Sequence, residues 1–278
     1  MKGKRVIITG PTSGIGREIA IQLAAQGAEL VLACRDTQRG ERVAEQIASS
    51  AHSNKGIVLH VDTAIPESIR EFARECRERF PRIDVLINNA GIYQRKRLEN
   101  AHGIELTFAT NVLGYFLLTN ELLGLLRRSA PARIVNVASS FATEPDLDDL
   151  QFEKRPYEGR NAYSQSKACD RMLTWAFARR LEGSGVTVNA MAPGLVQTRL
   201  YRNTTMRIRL ILRVVGMFRG RSVAKGADTA TWLASAPEIE GRTGRFFEQR
   251  REIPCKFKNV EAEEKLWNIC ERLTSPSR

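Results

Sequence analysis

The sequence predicts an α/β fold with a doubly wound parallel sheet of about seven strands and helices on both faces. Three observations lead there. Short apolar runs rich in Val and Ile alternate with helical patterns five times before residue 186, the order that a parallel sheet with crossover helices requires. The first run, residues 4–9, passes directly into a glycine-rich turn and then a helix. Later runs end in glycines, amides or hydroxyls, at the rim where open α/β sheets collect their ligands. The 278 residues suffice to bury a large core, and they read as one domain over 1–278.

The turn is Gly10-Pro11-Thr12-Ser13-Gly14-Ile15-Gly16, followed by a helical pattern over 17–26. Gly10 suits a tight turn, Gly14 lets backbone approach a pyrophosphate, and Gly16 lets the helix pack close to the sheet with its N-terminus facing the phosphates. The second strand, 27–34, ends on Cys34-Arg35-Asp36. An acid at that end would accept from a ribose 2′-hydroxyl and mark NAD, whereas an arginine pairs with a 2′-phosphate. Arg35 therefore predicts NADP(H), with Arg39 and Ser13 as weaker phosphate partners; the alternative is a solvated surface charge. A helix over 37–50, a strand over 56–61 and a helix over 66–80 opened by Pro66 follow. Asp62, at the end of the third strand, either meets adenine or caps its loop. The fourth strand, 83–87, runs into Asn88-Asn89-Ala90-Gly91, small residues and amides that suit a backbone lying close to a flat ring.

Residues 103–128 form the longest helical pattern, and Asn111 falls among its apolar positions. It either bends the helix to hold a water or is a capped surface residue. The fifth strand, 133–138, delivers Ser139 and Ser140 to the rim. After a loop over 141–159, Tyr163 and Lys167 stand four apart in a helical segment and so share one face. A lysine charge beside a phenol pulls its pKa down from about 10, as a general acid/base tyrosine needs; a solvated pair is the bland alternative. The sixth strand, 186–190, leads to Pro193-Gly194. A helix over 224–235, a seventh strand over 244–247 and a closing helix over 261–273 complete the chain, with Leu266 and Trp267 as core anchors.

Composition excludes several classes. Five scattered cysteines show no metal-ligand spacing, so free thiols, a reducing compartment and no metal are expected. No run of about 18 apolar residues is present to cross a bilayer, and the N-terminus lacks a secretory signal, which together predict a cytoplasmic protein. A net charge of +12 attracts anions, but no nucleic-acid recognition pattern accompanies it.

Thr9-Gly10-x3-Gly14-Ile15-Gly16, Asn88-Asn89-Ala90-Gly91, Asn111, Ser139, Tyr163-x3-Lys167 and Pro193-Gly194, taken together and in this order, resemble the short-chain dehydrogenases/reductases across nearly the whole chain. Ala33-Cys34-Arg35-Asp36, residues 111–119, the long interval from Ser139 to Tyr163 and the tail around 243–247 and 265–268 resemble the retinol dehydrogenase and WW-domain oxidoreductase branch. The resemblance implies a Rossmann-type domain and hydride transfer between NADP(H) and a lipophilic carbonyl or alcohol. It implies that Tyr163 exchanges the proton with the substrate, that Lys167 lowers the tyrosine pKa and binds the nicotinamide ribose, and that Ser139 orients the carbonyl. Asn111 would hold the water of a proton relay, and Val196 and Thr198 would fix the nicotinamide amide. Ala138 departs from the serine often found there, which leaves Ser139 and Ser140 to be told apart; Ser139 is favoured by its position after Asn136-Val137-Ala138. The family keeps its substrate lid near 199–222, ahead of a C-terminal extension over 248–278. Here residues 205–219 alternate Arg207, Arg209, Arg213 and Arg219 with apolar side chains, giving either a mobile cover or a helix lying on a membrane surface. A silent NADP(H)-binding sensor is the rival function.

Overall fold

The computed structural model describes residues 1–51, 55–196 and 222–275. Its strands are β1 (Arg5–Thr9), β2 (Glu29–Cys34), β3 (Ile57–His60), β4 (Val85–Asn88), β5 (Ala132–Val137), β6 (Val186–Ala192), β7 (Arg245–Glu248) and β8 (Arg251–Glu252). They form one sheet in the order β3-β2-β1-β4-β5-β6-β7-β8, parallel except for the final β7–β8 pair. The eighth strand, two residues beyond a turn at Gln249 and Arg250, is too short to leave an apolar signature in the sequence.

Strand alternation divides the core. Ile7 of β1 faces one layer, while its neighbours Val6 and Ile8 face the other. On the Ile7 side lie α3 (Pro66–Arg79), α5 (Gly114–Arg128), α6 (Gly159–Arg180) and α8 (Val260–Thr274), represented by Phe72, Phe116, Phe177 and Trp267. On the opposite side lie α1 (Gly14–Ala25), α2 (Thr37–Ala51) and α7 (Val223–Ser235), represented by Leu23, Ile47 and Leu233. Trp267 packs edge-on against Phe177 and Phe116 at 4.7 and 4.8 Å between ring centroids, as a core anchor does. Terminal signals act where the sequence puts them. Pro66 opens α3 with Glu67 in its first turn and Arg77 and Arg79 in its last, and Asp36 Oδ1 accepts from the Arg39 N–H to cap α2.

The helical pattern over 103–128 is not one helix. Residues 103–105 lie outside it, α4 (Leu106–Phe108) is a single turn capped by Glu105, and Ala109–Leu113 winds as a π-helix before α5 begins. A π-turn adds a residue to the helical repeat, and such turns collect at functional sites. Apolar periodicity cannot signal it, because every residue from Ala109 to Leu113 is buried.

The chain runs outward from β1 to β2 and β3, then returns to β4 on the other side of β1. This reversal leaves a crevice beyond the carboxyl ends of β1 and β4, the place where open sheets of this kind admit ligands. Among the described residues, no helix is long and apolar enough to cross a membrane. Thr198 and the stretch 205–219 lie outside the described residues.

Candidate active site

The crevice is a cleft of about 520 Å³. Its floor at one end is the glycine turn. Gly10 and Gly14 have φ of +65° and +56°, the left-handed region where a side chain is strained. A Cβ on Gly16 would come within 2.3 Å of Asn89 Nδ2 and 2.4 Å of the Gly10 carbonyl, so α1 packs against the β4 end only because that position is bare. Ser13 precedes α1 in extended backbone and makes no side-chain cap. Thr9 Oγ1 accepts from the Asn89 and Ala90 N–H groups at 2.9 and 3.0 Å, and Asn89 Nδ2 donates to the Thr9 carbonyl at 2.8 Å. These bonds clamp the β1 and β4 ends into one rim.

At the β2 and β3 ends, Arg35 Nη1 stands 3.6 Å from Asp62 Oδ2. Asp62 Oδ1 also accepts from the Ala64 N–H at 3.0 Å, so Asp62 caps its loop as well as lining the cleft. Asp36 is committed to α2, which leaves Arg35 as the side chain at the end of β2 that reaches out, with 78% of its surface exposed.

The other end of the cleft is built on β5 and α6. Ser139 follows β5 and lines the cleft, whereas Ser140 Oγ donates to Glu248 Oε1 at 3.1 Å; the two serines are separated by placement. Arg171 of α6 holds the Ser139 carbonyl through Nη2, and its guanidinium stacks 3.8 Å from the Phe246 ring centroid. Tyr163 and Lys167 project from α6 into the same cleft, both buried, so they are not a solvated surface pair. Ser139 Oγ accepts from the Phe141 N–H at 3.1 Å and is near enough to the Tyr163 hydroxyl to favour its ionised form. Pro193, Gly194 and Val196 after β6 close the lining, which also takes in Ile15, Asn89, Ala90 and Gly91.

Asn111 sits behind this wall. It is wholly buried in the π-turn, which rules out the capped surface alternative. Its Oδ1 accepts from the Ile92 N–H at 2.8 Å, and its Nδ2 donates to the Ile92 carbonyl and to Ser166 Oγ at 3.1 and 3.0 Å. The side chain therefore ties the β4 loop to the turn of α6 between Tyr163 and Lys167. A second buried chain runs parallel to it: Asn88 Nδ2 donates to Asn136 Oδ1, and Asn136 Nδ2 to Thr174 Oγ1, each at 2.9 Å.

The sequence predicts a tyrosine hydroxyl made more acidic by its lysine, but burial pushes the Tyr163 hydroxyl well above the usual phenol range, Ser139 works the other way, and Asp170 adds to the rise. Lys167 Nζ lies 5.9 Å from the Tyr163 ring centroid but only 2.7 Å from Asp170 Oδ2. Burial disfavours the Lys167 ammonium, yet Asp170 and Tyr115 outweigh that and hold it above the usual lysine range. Asp170 is the residue that the sequence reading missed. Its signal was an acid three positions after Lys167, one helical turn on, in a helix whose every position from Gly159 to Ala178 apart from Arg160 and Asn161 is buried.

Residues 4–208 match the family model for short chain dehydrogenases. The chain is 40% identical over 290 residues to retinol dehydrogenase 14 of Homo sapiens, covering 98% of this chain and 86% of the relative. Among solved structures, an uncharacterized protein from Mycobacterium paratuberculosis superposes with a TM-score of 0.77 at 30% identity, covering 98% of this chain and 94% of its own. A short chain dehydrogenase from Burkholderia cenocepacia in complex with NADP superposes with a TM-score of 0.72 at 26% identity, covering 88% and 96%. A parallel sheet that reverses at a glycine-lined crevice, with these similarities over nearly its whole length, makes the chain a member of the short-chain dehydrogenase/reductase family of oxidoreductases, with retinol dehydrogenases among its relatives.

Proposed function

We propose that the protein is an NADP(H)-dependent oxidoreductase that interconverts a lipophilic carbonyl compound and its alcohol, with Tyr163 as the proton-exchanging group. The observation that carries this reading is the convergence of the Tyr163 hydroxyl, Ser139 and Lys167 on the same cleft as the glycine turn. The residues fit the cofactor. Gly10, Gly14 and Gly16 form a bare cradle that a Cβ would fill, beside a helix N-terminus lacking a side-chain cap. Ser13, Ile15, Asn89, Ala90, Gly91, Pro193, Gly194 and Val196 would complete the dinucleotide site, joined by Thr198. Arg35 would pair with the 2′-phosphate, and Asp62 would flank the adenine end.

The bound nicotinamide supplies the hydride in reduction and accepts it in oxidation. Tyr163 Oη gives its proton to the substrate oxygen in the first direction and recovers it in the second. Ser139 donates a hydrogen bond to the same oxygen, a two-donor arrangement worth about 3–4 kcal/mol per donor where charge develops. Lys167, with two of its three N–H donors engaged by Val137 and Asp170, has one to offer the cofactor ribose. Asn111 keeps the π-turn, the β4 loop and α6 in register behind them.

A lipophilic substrate is supported by the retinol dehydrogenases among the relatives and by the apolar and aromatic side chains Ile92, Tyr93 and Leu106 in the cleft. The test follows NADPH absorbance with lipophilic aldehydes, ketones and quinones. The expected result is turnover with a clear preference for NADPH. Turnover with NADH of equal or greater efficiency would overturn the cofactor assignment, and no turnover with either would favour a silent binding protein.

A further inference from the structure

The helix that carries Tyr163 and Lys167 carries Asp170 one turn further on, and this acid engages the lysine from behind the cleft. Lys167 Nζ donates to Asp170 Oδ2 at 2.7 Å and to the Val137 carbonyl at 3.1 Å, with the pair's side chains 4% and 0% exposed. Asp170 Oδ1 is buried and has no hydrogen-bond partner among the described residues, so the carboxylate's charge is not shared with further donors. A bare ammonium near the Tyr163 ring would favour the phenolate. An ammonium in contact with a carboxylate acts at that range as a dipole, and most of its pull is cancelled.

The groups packed around the pair do not restore that pull. From α5, the Tyr115 ring centroid lies 5.2 Å from Lys167 Nζ, and from α8, the Cys270 thiol is near enough to feel the charge of Asp170. Burial pushes the Tyr115 hydroxyl and the Cys169 and Cys270 thiols well up, so all three are neutral. Tyr93, from the loop after β4, meets Tyr163 through a ring contact with centroids 6.1 Å apart. Arg171 is the other nearby cation; its charge acts on Asp170 less than that of Lys167 does, and its guanidinium is bound to the Ser139 carbonyl and also feels the charge of Glu248.

We propose that Asp170 is a positioning residue that acts through Lys167 to keep Tyr163 protonated, so that the site gives a proton to a carbonyl oxygen over a wide pH range and takes one from an alcohol only at high pH. In reduction the Tyr163 O–H bond breaks as the new O–H bond forms on the substrate, with the hydride arriving at carbon from the nicotinamide; oxidation reverses both transfers. This inference rests on the reading of Tyr163 as the group that exchanges the proton.

The test compares wild type with Asp170→Asn, which can keep a hydrogen bond to Lys167 while removing the charge. The alkaline rise in kcat/KM for alcohol oxidation is expected to move down by about one pH unit or more. A rise that stays in place or moves up overturns the proposal. A readout independent of turnover is urea unfolding of the cofactor-free protein as Lys167→Met, Asp170→Asn and the double variant. The two single losses should exceed the double loss when summed, and simple additivity would count against the pair. Tyr163→Phe separates the two ideas. If it keeps its turnover, the assignment of Tyr163 itself fails. If it is inactive while Asp170→Asn keeps the wild-type profile, only the role of Asp170 fails. Should Asp170→Asn fold poorly, Asp170→Ser carries the same comparison.

Discussion

Two cation–carboxylate pairs stand at or behind opposite ends of one cleft, and water reaches them differently. Arg35 and Asp62 are 3.6 Å apart with side chains 78% and 25% exposed, whereas Lys167 and Asp170 are 2.7 Å apart and sealed from solvent. The exposed pair is screened and worth roughly 0–1 kcal/mol, so Arg35 can leave Asp62 for an anionic ligand at little cost. The buried pair cannot open cheaply, since parting it strands a charge in a medium that solvates it poorly. Exposure would suit the first pair to receiving an anion, and burial would suit the second to holding a proton in place.

The largest effect is expected at Tyr163, whose ring centroid lies 5.9 Å from Lys167 Nζ. Tyr163→Phe is expected to lower turnover by about 10²- to 10⁴-fold while NADPH affinity, followed by fluorescence, changes little. Lys167→Met leaves Asp170 buried and unpaired and should cost about 3–5 kcal/mol in urea unfolding; a loss below about 1 kcal/mol would mean that the carboxyl takes up a proton or that water reaches it.

The pH dependence sharpens the same point. Burial holds the Asp170 carboxyl above the usual carboxylate range, at about 6, against the opposing charge of Lys167. Its folded pKa exceeds its unfolded value, so between about pH 4 and pH 6 the folded protein binds a proton that the unfolded chain does not. That contribution is complete below about pH 4 and is lost as pH rises through 6. Wild type should therefore gain on Asp170→Asn in thermal unfolding as pH falls from 7 to 4, by about 1–3 kcal/mol. A constant gap between the two would show an ordinary carboxyl.

At the exposed end the effects are smaller. Arg35→Ala should leave stability within about 0.5 kcal/mol of wild type and reduce the preference for NADPH over NADH by about tenfold or more, read as a ratio of kcat/KM values. An unchanged ratio would remove Arg35 from the phosphate site. Asp62→Asn, which frees Arg35 from its partner, is expected to change NADPH affinity by no more than a few-fold, with a stability loss under about 1 kcal/mol.

Much of the site was legible in the chain because it depends on local rules. Glycines at a strand-to-helix junction, a tyrosine and lysine one turn apart, and small residues at strand ends each act through backbone geometry within a few positions. These brought Gly10, Gly14, Gly16, Asn89, Ser139, Tyr163 and Lys167 to one cleft as the pattern implied. The π-turn around Asn111 and the two-residue β8 were not legible: the first is hidden among uniformly buried residues, and the second follows from pairing with β7 rather than from its own composition.

The alternation of strands and helices, the glycine turn and the residues at the strand ends were readable in the chain, since periodicity and turn chemistry are short-range properties, whereas the strand order and its reversal came with the fold. Only the tertiary structure decided the electrostatic state of those side chains. Lys167 is adjacent to Tyr163 in the helical pattern and to Asp170 as well, and spacing cannot say which it serves. Packing excluded water from all three and set the ammonium against the carboxylate. A pKa depends on solvent access and on every charge within reach, and both are fixed only when the chain has folded.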